Sequence, residues 1–280
     1  MEVFDDPDAM RGWSRARLGS GATIALVPTM GALHAGHLTL VEEARRRATA
    51  VIVSIFVNPI QFDRASDFDR YPRATDDDLA ACRAAGVDAV YAPAVATMYP
   101  PGFQTRVVPG ALADSLEGGM RPGHFEGVTT VVTKLLAATV PDVAVFGQKD
   151  YQQLAIVRRM VADLDLGVGI IVVPTSREPD GLARSSRNVR LSPDERAAAV
   201  AIPDALQAAA GAYADGEREA ARLRAIAADR IDREPRAKAE YVAVVDASTL
   251  EPLTTIDRPA VILTAVWVGD VRLIDNQLLG

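Results

Sequence analysis

A doubly wound parallel α/β domain followed by a smaller α+β domain is the fold class this 280-residue sequence predicts, on three observations. From residue 23 to about 173, short strand-like runs alternate with helix-like stretches. Those runs are continuously apolar rather than alternating, as expected of parallel strands covered on both faces. After "REPDGLARSSRN" the texture changes to helices rich in alanine, arginine and glutamate, and then to strands with no helices between them.

The elements follow in order. "TIALV" (23–27) is short, apolar and β-branched and reads as a buried strand. A helix over 37–48 follows, with Leu38, Val41 and Ala44 on one face. "AVIVSIFV" is the second strand, and "TDDDLAACRAAG" the next helix, where Thr75 and Asp78 have the spacing of a capping box. "VDAVYAP" is a third strand, and "GVTTVVTKLLAATV" reads as a buried helix despite its β-branched residues. "DVAVFG", "DYQQLAIVRRMVADL" and "GIIVVP" complete a Rossmann-like series. Residues 193–233 read as two helices interrupted at Pro203 and Gly216. "AEYVAVVD", "AVILTAVWV" and "VRLID" read as strands, the last two joined tightly at "GD". The expected domains are 1–175 and 176–280, the second acting as a lid.

The net charge of -7, with no long basic block, argues against nucleic acid or an anionic membrane as partner. The single cysteine, Cys82, cannot form an internal disulfide and fits a reducing cytoplasm. "MEVFDDPDAMRGW" lacks the apolar run of a signal peptide, and no apolar stretch approaches the roughly 20 residues of a membrane span.

Two of the three histidines lie in "PTMGALHAGHLTL" (28–40), at a strand-to-helix turn. Gly31 and Gly36 have the spacing of a Walker A loop, but His37 and Leu38 stand where that loop has Lys and Ser or Thr. Helix N-terminal amides and the helix dipole still favour an anion there, and imidazole adds a neutral donor. The alternative is that both histidines are plain turn and packing residues. A metal would need His124 as third ligand, and no compact group of carboxylates accompanies the pair, so ligand count argues against it. In "FGQKDYQQ" (146–153), Lys149 and Asp150 follow a strand's carboxyl end, where ligands of such sheets sit, although Asp150 could simply cap the helix. "DGLARSSRN" (180–188) offers hydroxyls and Arg187 for an anion, or else an ordinary linker, and "TDDD" reads as a helix start with a solvated face.

Together with "VSIFVNPIQF" and "RPGHFEGV", these pieces resemble the pantoate–β-alanine ligase family, within the nucleotidyltransferases of the "HIGH" signature, here "HAGH". The resemblance runs from about 23 to 192. It implies a condensation of pantoate with β-alanine driven by ATP through a pantoyl-adenylate, with Mg2+ on the phosphates, in a cytoplasmic homodimer. It further implies that Met30, Gly31, Ala32, Leu33, His34, Ala35, Gly36 and His37 line the ATP phosphates, with His37 as proton donor. Gly147, Gln148, Lys149 and Asp150 would hold adenine, ribose and phosphate, Lys149 on the charge; Ser176 would border adenine through its backbone. Arg184, Ser185, Ser186 and Arg187 resemble the mobile loop that closes over the triphosphate. Gln61 and Gln153 would bind pantoate, Gln61 also bordering β-alanine, with Asn58, Arg121 and His124 lining the same cavity. Three positions depart from the pattern: Asp63 where glycine is frequent, Ala35 where glutamate is frequent, and Ser176 where an apolar residue is common. The rival readings are another nucleotidyltransferase of the same superfamily and a nucleotide-binding module without chemistry.

Overall fold

The computed structural model describes residues 1–63 and 65–280. The chain divides into two compact units, one of Met1–Gln148 with Ile156–Pro174, the other of Lys149–Ala155 with Thr175–Gly280.

In the first unit, β1 (Glu2–Phe4) and α1 (Pro7–Gly19) precede β2 (Ile24–Thr29), α2 (Ala35–Arg47) and β3 (Ala50–Ile55). Then come α3 (Ala65–Asp69), α4 (Thr75–Ala84), β4 (Ala89–Tyr91), α5 (Val95–Met98), α6 (Leu116–Met120), α7 (His124–Thr139) and β5 (Val143–Gly147). Helix α8 (Tyr151–Asp163), whose residues up to Ala155 belong to the second unit, and β6 (Gly169–Val173) follow. The six strands form one parallel sheet in the order β1-β4-β3-β2-β5-β6. Chain order reverses between β2 and β5, the point at which doubly wound sheets open a crevice beyond their carboxyl ends. Both faces are covered, as the continuously apolar strands require. On one face, Ala25, Val27, Val51, Val53 and Val145 pack with Leu40, Val41 and Ala44 of α2 and Cys82 of α4. Burial pushes the Cys82 thiol up to about 11, with the charge of Asp78 the next cause.

Sequence patterning assigned no element before residue 23. Helix α1 is nonetheless well specified: Asp6 caps it by accepting from the Asp8 and Ala9 amides at 2.9 Å, and Pro7 occupies its first turn.

In the second unit the Ala-rich stretch forms three helices rather than two: α9 (Pro193–Ala198), α10 (Ala201–Ala214) and α11 (Ala220–Asp232). Pro203 does not interrupt the helix, because it sits in the first turn of α10, where a missing N–H costs nothing. The break falls just before it, at 199–200. Strands β7 (Ala237–Asp246), β8 (Ala260–Val268) and β9 (Val271–Leu279) form an antiparallel sheet in that order. Its core packs Ile262, Val266 and Leu273 against Ile202, Leu206, Leu223 and Ile231 of the helices.

The turn after β7 is organised by Asp246. One carboxylate oxygen accepts from the Ser248 hydroxyl at 2.6 Å, the Ser248 amide at 2.8 Å and the Thr249 amide at 2.9 Å, and the other from Arg258 Nε at 2.6 Å. These bonds, the Ser248 hydroxyl first, hold the carboxyl well below its ordinary value of 3.8. A depressed folded pKa contributes stability that is present above the ordinary value and lost as pH falls through the folded one. Asp246→Asn is therefore expected to cost on the order of 2 kcal/mol at pH 7. In denaturant titrations, its deficit against the parent should shrink as the pH is lowered from about 4.

Candidate active site

The two histidines of the opening motif owe their geometry to the turn between β2 and α2. Gly31 (φ 79) and Ala32 (φ 50) are both left-handed. At Gly31 a Cβ would also meet the Asp78 carboxylate at 2.8 Å and the Ile55 side chain at 3.1 Å, so glycine is required there on two counts. Asp78 is 3% exposed, and its two oxygens accept from the Ala32 amide at 2.8 Å and the Leu33 amide at 2.6 Å. The capping box expected at Thr75 and Asp78 does not form. Helix α4 starts at Thr75, its cap residue Ala74 makes no side-chain bond, and Asp78 is turned inward to the amides of the other turn. Only Asp76 and Asp77 form the solvated face expected of the acidic run.

The next residue, His34, is the N-cap of α2. Its Nδ1 accepts from the Gly36 amide at 3.1 Å, while His37 Nδ1 accepts from the His34 amide at 3.3 Å. This is a capping box made by two imidazoles, whose ring centroids lie 4.1 Å apart. A ring nitrogen that accepts carries no proton. Each ring is therefore the neutral tautomer with its proton on Nε2, a donor held beside the positive end of the helix dipole.

A second group of candidate residues is bonded to this turn within the same unit. Gln61 Nε2 donates to Met30 Sδ at 3.2 Å, and Asn58 Nδ2 donates to Gln61 Oε1 at 2.8 Å and to the Gly127 carbonyl at 3.0 Å. Tyr99 donates its hydroxyl to Asn58 Oδ1 at 2.8 Å, and burial pushes that phenol upward. At Gly127 a Cβ would meet Gln61 Cα at 2.7 Å, so its absence lets α7 approach the Gln61 backbone. His124 Nδ1 donates to the Gln61 carbonyl at 2.7 Å, and its Nε2 faces Arg121 Nη1 at 3.2 Å. A guanidinium only donates, so this ring is the opposite tautomer, protonated on Nδ1. Arg121 also pairs with Asp63 at 3.0 Å, giving that departure from the family pattern a local partner. The structure thus brings Met30, Asn58, Gln61, Arg121 and His124 into one hydrogen-bonded group. Gly147 ends β5, and the Gln148 amide donates to the Val173 carbonyl at 2.8 Å.

The remaining candidates belong to the second unit. Lys149 Nζ lies 3.8 Å from Asp150, which immediately precedes α8, and Gln153 is half-buried in the first turn of that helix. Residues 176–184 form a small hairpin: the Arg184 amide donates to the Ser176 carbonyl at 2.9 Å, and Arg177 bridges Ala183. Arg184 is held on its own hairpin by Glu178 at 3.0 Å. Ser185 caps the single turn Ser186–Arg190 by accepting from the Arg187 amide at 3.2 Å.

Sequence reading missed Asp78 and Tyr99. For Asp78 a signal existed: it stands four residues before Cys82 and so shares the apolar face of its helix. Among the described residues, no group of three or more His, Cys, Asp or Glu is placed to hold a metal ion.

Comparison with known proteins identifies the family. A family model described as pantoate-beta-alanine ligase matches residues 2–278. A pantothenate synthetase of Rhizorhabdus wittichii is 52% identical over 276 residues, covering 99% of this chain and 98% of its own. The crystal structure of pantothenate synthetase from Thermus thermophilus superposes with a TM-score of 0.93 at 43% identity, with 99% of both chains covered. That of the pantoate-beta-alanine ligase from Francisella tularensis, complexed with beta-gamma ATP and beta-alanine, gives a TM-score of 0.82 at 35% identity, covering 99% of this chain and 97% of that one. Neither rival reading is favoured by these matches, which span the antiparallel C-terminal sheet as well as the parallel one. The chain belongs to the pantoate–β-alanine ligase family, enzymes that form a carbon–nitrogen bond.

Proposed function

We propose that this chain joins pantoate to β-alanine through a pantoyl-adenylate, consuming ATP and releasing AMP and pyrophosphate. The observation that carries the reading is the pair of imidazoles at the start of α2, each accepting a backbone amide at Nδ1 so that its proton sits on Nε2. A pantoate carboxylate oxygen attacks the α-phosphorus and pyrophosphate leaves. The β-alanine amine then attacks the acyl carbon, AMP leaves, and the amine gives up a proton. Neither step needs a protein nucleophile, so catalysis rests on positioning and on donors aimed at developing phosphate charge.

In the first unit, residues Met30 to His37 would take the phosphates, with His34 and His37 donating to them, and Gly147 and Gln148 would border the nucleoside. In the second, Lys149, Asp150, Ser176 and Arg184 to Arg187 would take nucleoside and phosphate charge. Gln61 suits pantoate: its amide nitrogen donates to a thioether sulfur, a weak acceptor that a carboxylate or hydroxyl oxygen readily replaces. Within the first unit Asn58, Arg121 and His124 would take part with Gln61 in binding pantoate, with β-alanine at Gln61; in the second unit, Gln153 would bind pantoate. The complex of the Francisella relative with beta-gamma ATP and beta-alanine supports this substrate set. Magnesium would travel with the triphosphate, held by phosphate oxygens and water, since Mg2+ keeps much of its hydration. A cytoplasmic homodimer, with residues 176–280 as a lid, belongs to the same proposal. Among the described residues, no helix is long and apolar enough to cross a membrane.

The reading is tested by isotope exchange. Labelled pyrophosphate should exchange into ATP when pantoate is present and β-alanine absent, and His37→Ala should slow that exchange by about 10²–10³, as loss of one transition-state donor does. No exchange by the parent protein would overturn the adenylate.

The pantoate assignment is tested separately. Gln61→Glu and Gln153→Glu keep size but replace amide donors with a negative charge, costing on the order of 1–3 kcal/mol against a carboxylate substrate. Steady-state kinetics should show pantoate KM raised about tenfold or more in each, with ATP binding alone nearly unchanged.

A further inference from the structure

The third strand of the C-terminal sheet carries two adjacent polar residues that a sheet core does not need. Asp275 and Asn276 are 2% and 1% exposed, and the Asp275 carboxylate is fully buried. Asp275 forms a two-point pair with Arg177, at 2.6 Å to Nη1 and 3.0 Å to Nη2, and accepts from the Asn276 amide at 2.8 Å. The same guanidinium donates to the Gly181 carbonyl at 3.0 Å and to the Asn276 carbonyl at 3.4 Å. It therefore ties the tip of the 176–184 hairpin, at Gly181, to β9, and the continuation of that hairpin is Ser185 to Arg187. Asn276 Nδ2 donates to the backbone carbonyl of Lys149 at 2.9 Å. All of these groups lie within the second unit.

Buried polar groups are costly unless satisfied, and here the satisfaction comes from two segments distant in sequence, 127 residues away for Lys149 and 98 for Arg177. We propose that Asp275 and Asn276 are positioning residues of the nucleotide-binding machinery. Asp275, through Arg177, fixes the hairpin leading to Ser186 and Arg187, and Asn276 fixes the backbone from which the Lys149 side chain extends. The C-terminal sheet thus sets the spacing of two cationic segments that a triphosphate must meet together. The inference rests on the nucleotide roles proposed above for Lys149 and Arg187.

The test is a double-variant cycle on the full chain, read by pyrophosphate exchange, ATP KM, β-alanine KM and thermal melting. Asn276→Ala should raise ATP KM at least tenfold and leave β-alanine KM within about twofold. Added to Lys149→Ala, it should change ATP KM by less than about twofold, because it acts through that lysine. Equal losses in both backgrounds, or equal rises in both KM values, would overturn the proposal in favour of a purely structural role. Lys149→Ala with ATP kinetics like the parent's would overturn the assignment of Lys149 itself, which separates failure of the nucleotide reading from failure of this one. Should Asn276→Ala fail to fold, Arg177→Lys decides. It keeps the charge beside Asp275, but its single ammonium cannot reproduce the two-point pair together with the Gly181 bond. It should raise ATP KM several-fold with β-alanine KM unchanged, and an unchanged ATP KM would refute the hairpin's dependence on Asp275.

Discussion

The hydrogen bonds from the Ala32 and Leu33 amides to the buried Asp78 carboxylate are the interaction on which the first unit's candidate site depends. They hold a turn that the backbone would not choose by itself. An L-residue in the left-handed region costs roughly 1–2 kcal/mol, and Ala32 stands there directly after Gly31. Each hydrogen bond to a charged acceptor contributes about 1.5–3 kcal/mol, so two of them outweigh that strain. With the turn fixed, His34 can only be the N-cap of α2. The reciprocal bonds between the two imidazoles and the helix's first amides then decide which nitrogen of each ring carries a proton.

A second consequence runs through Met30, at the start of the same turn. Its sulfur meets Gln61, Gln61 meets Asn58, and Asn58 meets both Tyr99 and the Gly127 carbonyl of α7. The carboxyl end of β2, the segment after β3 and the first turns of α7 are thereby tied into one frame. The frame is opposite in kind from a catalytic triad. In the proposed function it serves no protein nucleophile, and its amides and imidazoles would donate to charge arriving with a substrate.

Much of this was legible in the sequence because the relevant signals are local. Short, β-branched apolar runs such as "AVIVSIFV" and "DVAVFG", alternating with helix-like stretches, read as parallel strands buried on both faces, and the strand-turn-helix context of "HAGH" follows from its flanks. What escaped was long-range. Asp78 resembled a helix cap because its real partners lie 46 and 45 residues earlier. The run "VRLID" reads as a strand only to Asp275, yet β9 continues to Leu279, with Asp275 and Asn276 buried and bonded to Arg177 and Lys149. Strand β1 is three residues long and pairs with β4, too short for any pattern to declare itself. Pro203 misled for a positional reason: proline ends a helix from within but is welcome in its first turn.

The central claim is that the turn around Asp78 fixes the protonation geometry of the histidines, and imidazole nitrogen NMR reports it directly. The chain has only three histidines, so every ring can be assigned. At pH 8, long-range nitrogen–proton correlation spectra should show His34 and His37 as Nε2–H tautomers and His124 as the Nδ1–H tautomer. In Asp78→Asn, the signals of His34 and His37 should move toward a mixture while His124 stays as it was. A His34 or His37 ring protonated on Nδ1 in the parent protein, or spectra unchanged by Asp78→Asn, would contradict the account.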